Sequence, residues 1–94
     1  MAYVLVHSKV DDYNKWKSAY DGNSDFRTRL GSKGGKIFQS ADNPGELFVL
    51  LEWDSLENAK KFAQSDELKE KMQGAGVVGK PDFHFFEEAT ETAK

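Results

Sequence analysis

Cysteine is absent from the chain, which excludes disulfides, thiolate metal sites, iron–sulfur clusters and cysteine nucleophiles. Long hydrophobic runs are lacking as well. The longest, Leu47 to Leu51, falls far short of the ~20 residues that cross a bilayer. The opening residues, Met1 to His7, carry neither a basic stretch nor an extended apolar one, so no secretory leader is expected. Concentrated positive charge is also missing. The net charge is −3 and Lys and Arg are scattered, so nothing marks a nucleic-acid surface. Histidine occurs only twice, at His7 and His84.

What is present points to a packed core. Aromatic residues make up 13% of the chain and hydrophobic residues 38%, against 31% charged, a balance unlike that of disordered chains. At 94 residues there is room for one domain and none for separate catalytic and binding modules. So short a chain buries a modest share of its surface alone, which brings a partner subunit into consideration. The composition leads us to expect a soluble, cytoplasmic domain with no membrane or nucleic-acid partner.

Residues 2–9, rich in Val, Leu and Tyr, read as a strand. Asp11 and Asp12 supply helix-capping oxygens, and Tyr13, Trp16 and Tyr20 then fall on one helical face. The run 21–24 should weaken that helix before Phe26 and Leu30 resume its stripe, and Gly31 is a natural terminator. Residues 36–40 read as a second strand, 42–45 as a turn and 46–53 as a third strand that pairs back as a hairpin. Asp54 and Glu57 fit a reciprocal cap. A helix follows through Ala59, Phe62 and Ala63, and Ser65 opens another that carries Leu68, Met72 and Ala75. Residues 74–79 read as loop and 81–88 as the last strand. One domain is expected over 1–88, followed by a flexible tail at 89–94.

The order β-α-β-β-α-β defines an α+β, ferredoxin-like fold with a four-stranded antiparallel sheet. Helices cover one face of such a sheet, and the other should alternate to polar where it meets water. Here both faces are apolar. Val4, Val6, Val49, Leu51, Trp53, Phe83 and Phe85 share one side; Leu5, Phe38, Phe48, Leu50 and Phe86 share the other. An apolar second face predicts a homodimer through the sheet. The same alternation sets His7, Glu52 and His84 on that second face, in a chamber where they would form a catalytic acid–base set. The competing reading has each histidine hydrogen-bonded in place and Glu52 in solvent at the strand end. No metal-ligand spacing accompanies them, and no metal or other cofactor is expected.

Two glycine motifs fail on context. Residues 74–79 match G-x-G-x-x-G, but a helix precedes them and a strand follows, the reverse of a dinucleotide site. Residues 31–36 have one residue too few for a phosphate loop and Ile37 where Ser or Thr must meet magnesium, so they read as a turn. Arg27 and Arg29 suit the helix dipole, with an anionic substrate as the alternative. Lys60, Lys61, Glu67, Lys69, Glu70 and Lys71 read as a solvated face.

The chain to about Glu88 resembles the dimeric α+β barrel superfamily that includes the antibiotic biosynthesis monooxygenases and small cyclase-like members. The resemblance is carried by Lys9-Val10, Asp12-Tyr13, Lys15-Trp16, Gly31-Ser32-Lys33-Gly34-Gly35, Glu52-Trp53-Asp54, the segment from Phe62 to Met72, and Gly76-Val77-Val78-Gly79 before Pro81. It implies a homodimer packed sheet to sheet, with a pocket between sheet and helices in each subunit. Some relatives oxidise polycyclic or quinol substrates without metal or flavin, and others degrade haem. No His lies between Ser55 and Gly76, so a helical haem ligand is missing there. Asn14, Asn23, Asn43 and Asn58 are all expected on helix or turn surfaces. The activity implied is a cofactor-independent oxygenase or polyketide cyclase acting on an aromatic or polyketide-like substrate. Its candidate catalytic residues are His7, His84 and Glu52, and Trp16, Tyr20, Phe48, Leu50 and Phe86 are its candidate substrate-binding residues. The alternative is a non-catalytic homodimer that binds a small apolar ligand or a protein partner.

Overall fold

The computed structural model describes residues 1–93. Its elements are β1 (Ala2–Val10), α1 (Tyr13–Gly22), α2 (Ser24–Leu30), β2 (Ser32–Gln39), β3 (Glu46–Trp53), α3 (Leu56–Ala63), α4 (Asp66–Gly74) and β4 (Val77–Glu87). The strands form one sheet in the order β2-β3-β1-β4 with every pairing antiparallel. This is the ferredoxin-like α+β arrangement that the sequence implies, with each helical segment divided in two. The residues from Glu88 to Ala93 adopt neither helix nor strand. The last residue of the expected tail, Lys94, lies outside the described residues.

The alternation in the strands decides where the core sits. Val4, Val6, Leu47, Val49, Leu51 and Trp53 are all buried on the helix-facing side, and Phe83 and Phe85 pack against them from β4. Trp16, Phe26, Phe62 and Leu68 meet them from the four helices. The first helical segment breaks at Asn23, whose backbone N–H donates to the carbonyls of Ala19 and Tyr20. Short side-chain oxygens start three of the helices: Asp12 accepts from the N–H of Lys15, Ser55 from Asn58 and Ser65 from Leu68. The α3 cap is therefore Ser55, one residue beyond the expected Asp54. Gly31 ends α2 with φ +118°, and its amide donates to the carbonyl of Thr28.

Two strand boundaries differ from expectation. The second strand starts at Ser32 instead of 36, and its register shifts between Ser32 and Gly34. Residues 31–36 are therefore mostly ladder and not a turn. Gly34, at φ +113°, absorbs the irregularity as a bulge. The last strand starts at Val77 instead of 81, because Val77 and Val78 pair with Val10 and Lys9 before the ladder is interrupted opposite Ser8. Gly76 and Gly79 both have positive φ, which suits a tight turn from α4 into β4 and leaves no helix N-terminus to meet a dinucleotide. No described helix is long and apolar enough to cross a membrane.

Candidate functional site

The sheet divides the expected site residues between its two faces. On the open face, the pairings His7↔Phe48, Leu5↔Leu50 and Tyr3↔Glu52, with Leu5↔His84 and Tyr3↔Phe86 on the other flank, place His7, Glu52 and His84 among Phe48, Leu50 and Phe86. That parity matches the alternation in the sequence. Their spacing does not gather them into one cluster. His7 and Glu52 sit four ladder positions apart, roughly 13 Å along the strands. His84 is a diagonal neighbour of His7 at roughly 7–8 Å. No hydrogen bond joins any two of the three.

His7 instead pairs with Glu46, which is not among the expected site residues. Its Nε2 lies 2.7 Å from Glu46 Oε1, its Nδ1 lies 3.8 Å from Asp82 Oδ2, and its ring stacks on Phe48 with centroids 4.4 Å apart. Alternation puts Glu46 on the same face as Glu52, so the signal was available; only the pairing register shows which carboxylate meets the histidine. His84 is exposed, and Phe38 and Phe86 remain 49% and 46% exposed. Among the described residues, no group of three or more His, Asp or Glu is arranged to hold a metal ion.

Trp16 and Tyr20 lie on the opposite side, in the wall of a cavity between sheet and helices. The backbone of the sheet stands between Trp16 and the pair Phe48 and Phe86, which were expected to shape one pocket with it. The sheet contributes Val6, Ser8, Val49 and Leu51 to the floor, while Phe26, Phe62 and Leu68 close the helix side. Trp16 and Tyr20 stack with ring centroids 5.1 Å apart. The cavity measures about 70 Å³, about half the ~150 Å³ that accepts a benzene ring in an engineered apolar core.

Polar groups converge on this cavity from distant parts of the chain. Asn23, expected on the surface, lines it, together with Arg27 and Lys71. The Arg27 guanidinium carbon lies 3.6 Å from the Tyr20 ring centroid, and its Nη1 donates to the Tyr20 carbonyl at 2.7 Å. Lys71 Nζ donates to Asn23 Oδ1 at 3.1 Å and lies 4.9 Å from the Phe26 ring centroid. Burial raises the Tyr20 phenol above its ordinary value, against a smaller opposing effect of the Arg27 charge. Burial also lowers the Arg27 guanidinium from its ordinary value. Among the described residues, neither histidine and no carboxylate lines the cavity.

Solved structures that carry the name antibiotic biosynthesis monooxygenase share this fold. A Bordetella bronchiseptica protein provisionally given that name superposes with a TM-score of 0.76 at 16% identity, covering 95% of this chain and 97% of that one. A Nitrosomonas europaea protein with the same provisional name gives 0.69 at 16% identity, covering 96% and 100%. SnoaB, a cofactor-independent oxygenase from Streptomyces nogalater, gives 0.75 at 9% identity, covering 99% and 97%. No family model and no curated protein sequence matches the chain. The shared property is the fold.

Proposed function

We propose that this chain is the subunit of a homodimeric small-molecule oxygenase that works without metal or flavin on an aromatic or polyketide-like substrate. The observation that carries the reading is the cavity. Its apolar floor, its stacked Trp16–Tyr20 wall and the convergence of Ser8, Asn23, Arg27 and Lys71 are the features of a small-molecule site. SnoaB, named a cofactor-independent oxygenase, supports the class through its shared fold. Since no histidine or carboxylate lines the cavity, the substrate enters as its own anion, from an acidic phenol or β-dicarbonyl. That anion gives electrons to O2; the reacting methylene carbon becomes a carbonyl, and the second oxygen atom leaves as water. Arg27 and Lys71 favour the ionised substrate electrostatically.

The sheet face supports the dimer. Leu5, Phe48, Leu50, Phe38 and Phe86 form an apolar surface that helices of the same subunit do not cover. His7, Glu52 and His84 belong to this surface, so we assign them to the subunit contact in place of catalysis. Ligand binding without turnover is the second reading, favoured by the absence, among the described residues, of a general base from the cavity lining.

Oxygen uptake and absorbance against quinols, anthrones and flavonoids test the proposal, with Trp16→Ala, His7→Ala and His84→Ala measured alongside. Uptake lost in Trp16→Ala and kept in both histidine variants is the expected pattern. Loss in the histidine variants of intact dimers would return the chemistry to the sheet face. Binding at the cavity with no uptake from any substrate would leave the non-oxidative reading.

A further inference from the structure

We infer that the ligand of the cavity is a small organic acid, an apolar body that carries a carboxylate, held by Arg27 and Lys71. The inference rests on the cavity being the ligand site, as proposed above, and adds the chemical class of what enters it.

Arg27 is the leading observation. Its guanidinium is partly buried against the Tyr20 ring at the cavity wall, yet among the described residues no carboxylate lies within ion-pairing distance of it. One of its five N–H groups is committed, to the Tyr20 carbonyl. A guanidinium desolvated on one side and unpaired on the other is a carboxylate acceptor in waiting, since its planar fork matches two carboxylate oxygens. Lys71 brings a second positive charge to the same cavity. Its carboxylate neighbour, Glu67, is distant at 3.8 Å, exposed, and also approached by Arg29, so this pairing neutralises little.

An independent observation comes from the floor. Ser8 is 6% exposed and lines the cavity, so its hydroxyl is the polar group that the sheet offers to a ligand there. It sits where the β1–β4 ladder is interrupted. With cations on the helix side, a hydroxyl on the sheet side and Val6, Val49, Leu51 and Phe62 between them, the cavity matches an amphipathic acid oriented end to end. The volume of about 70 Å³ is below what one benzene ring fills, so the ligand seats only the end of its apolar body inside and keeps its charged end in the mouth.

The test compares acids with their neutral near-isosteres: benzoate, phenylacetate and 3-phenylpropionate against the three corresponding primary amides. Binding is followed by the NMR shifts of the Trp16 indole and Arg27 guanidinium N–H groups. The acids are expected to bind about tenfold more tightly than the amides. Arg27→Gln and Lys71→Gln should each shrink that ratio toward one with little change for the amides, and Arg27→Lys, which keeps the charge but not the fork, should keep only part of it. Ser8→Ala should weaken both series together. Should Arg27→Gln fail to fold, Lys71→Gln and the wild-type ratio decide alone. Acids and amides that bind equally while shifting Trp16 would overturn the anion selectivity and leave the cavity as a ligand site. No Trp16 shift with any probe would overturn both.

Discussion

His7 lies flat against Phe48, with the two ring planes within 4° of each other, while its Nε2 is 2.7 Å from Glu46 Oε1. The imidazole is thus fixed from two directions on the face of the sheet that turns away from Trp16. A stacked, hydrogen-bonded histidine among half-buried phenylalanines is well suited to a protein contact, because it presents a flat ring with little side-chain entropy left to lose.

From this follows the behaviour of the assembly. Light scattering at micromolar concentration should give twice the 10.6 kDa chain mass. Phe38→Lys together with Phe86→Lys, at the most exposed apolar positions of the open face, should give folded monomers. His7→Ala should raise the dimer dissociation constant by about tenfold through loss of the stacked surface. A wild-type monomer would remove the sheet-face contact.

Trp53 offers a second measurement. It is fully buried, packs on Phe62 at 4.8 Å between ring centroids, and its Nε1 has no hydrogen-bond partner among the described residues. Trp53→Phe removes an orphaned donor whose burial costs ~1–3 kcal/mol, which offsets the packing lost with the smaller ring. Chemical denaturation should place Trp53→Phe within about 1 kcal/mol of the parent. Trp53→Ala, which removes the same donor but leaves a large void, should cost about 3–5 kcal/mol.

Tyr20 makes stability depend on alkaline pH. Burial raises its folded value above the ordinary 10.0, so the folded chain holds this proton more tightly than the unfolded one does. The resulting stabilisation is complete below the unfolded value and is lost as pH rises through the raised folded value. Urea unfolding between pH 8 and 11 should show stability falling at the upper end, and Tyr20→Phe should flatten that fall. An unchanged slope in the variant would mean that Tyr20 is not the group responsible.

Much of the fold was legible because the strands alternate so regularly. Leu47 to Trp53 reveals its buried side at sight, and the same parity correctly set His7, Glu52 and His84 on the opposite side. Where apolar alternation stops, legibility stops too. The segment Ser32-Lys33-Gly34-Gly35 contains no hydrophobic residue and looks like a turn; it is a strand because β3 offers it an edge to pair with. Which carboxylate meets His7 is a matter of register, a long-range property that alternation leaves open by steps of two residues. Arg27 and Lys71 come together from α2 and α4 with no periodicity linking them, so the cationic side of the cavity emerges only from the packing of the helices.

The irregular start of β2 has a consequence for the sheet as a whole. An exposed edge strand invites another chain to extend the ladder, and proteins discourage this with bulges and lysines. Here the outer edge carries a bulge between Ser32 and Gly34, and exposed Lys33 and Lys36 lie beside it. The local twist and charge make this margin a poor template for an incoming strand, which guards against the runaway stacking that leads to fibrils.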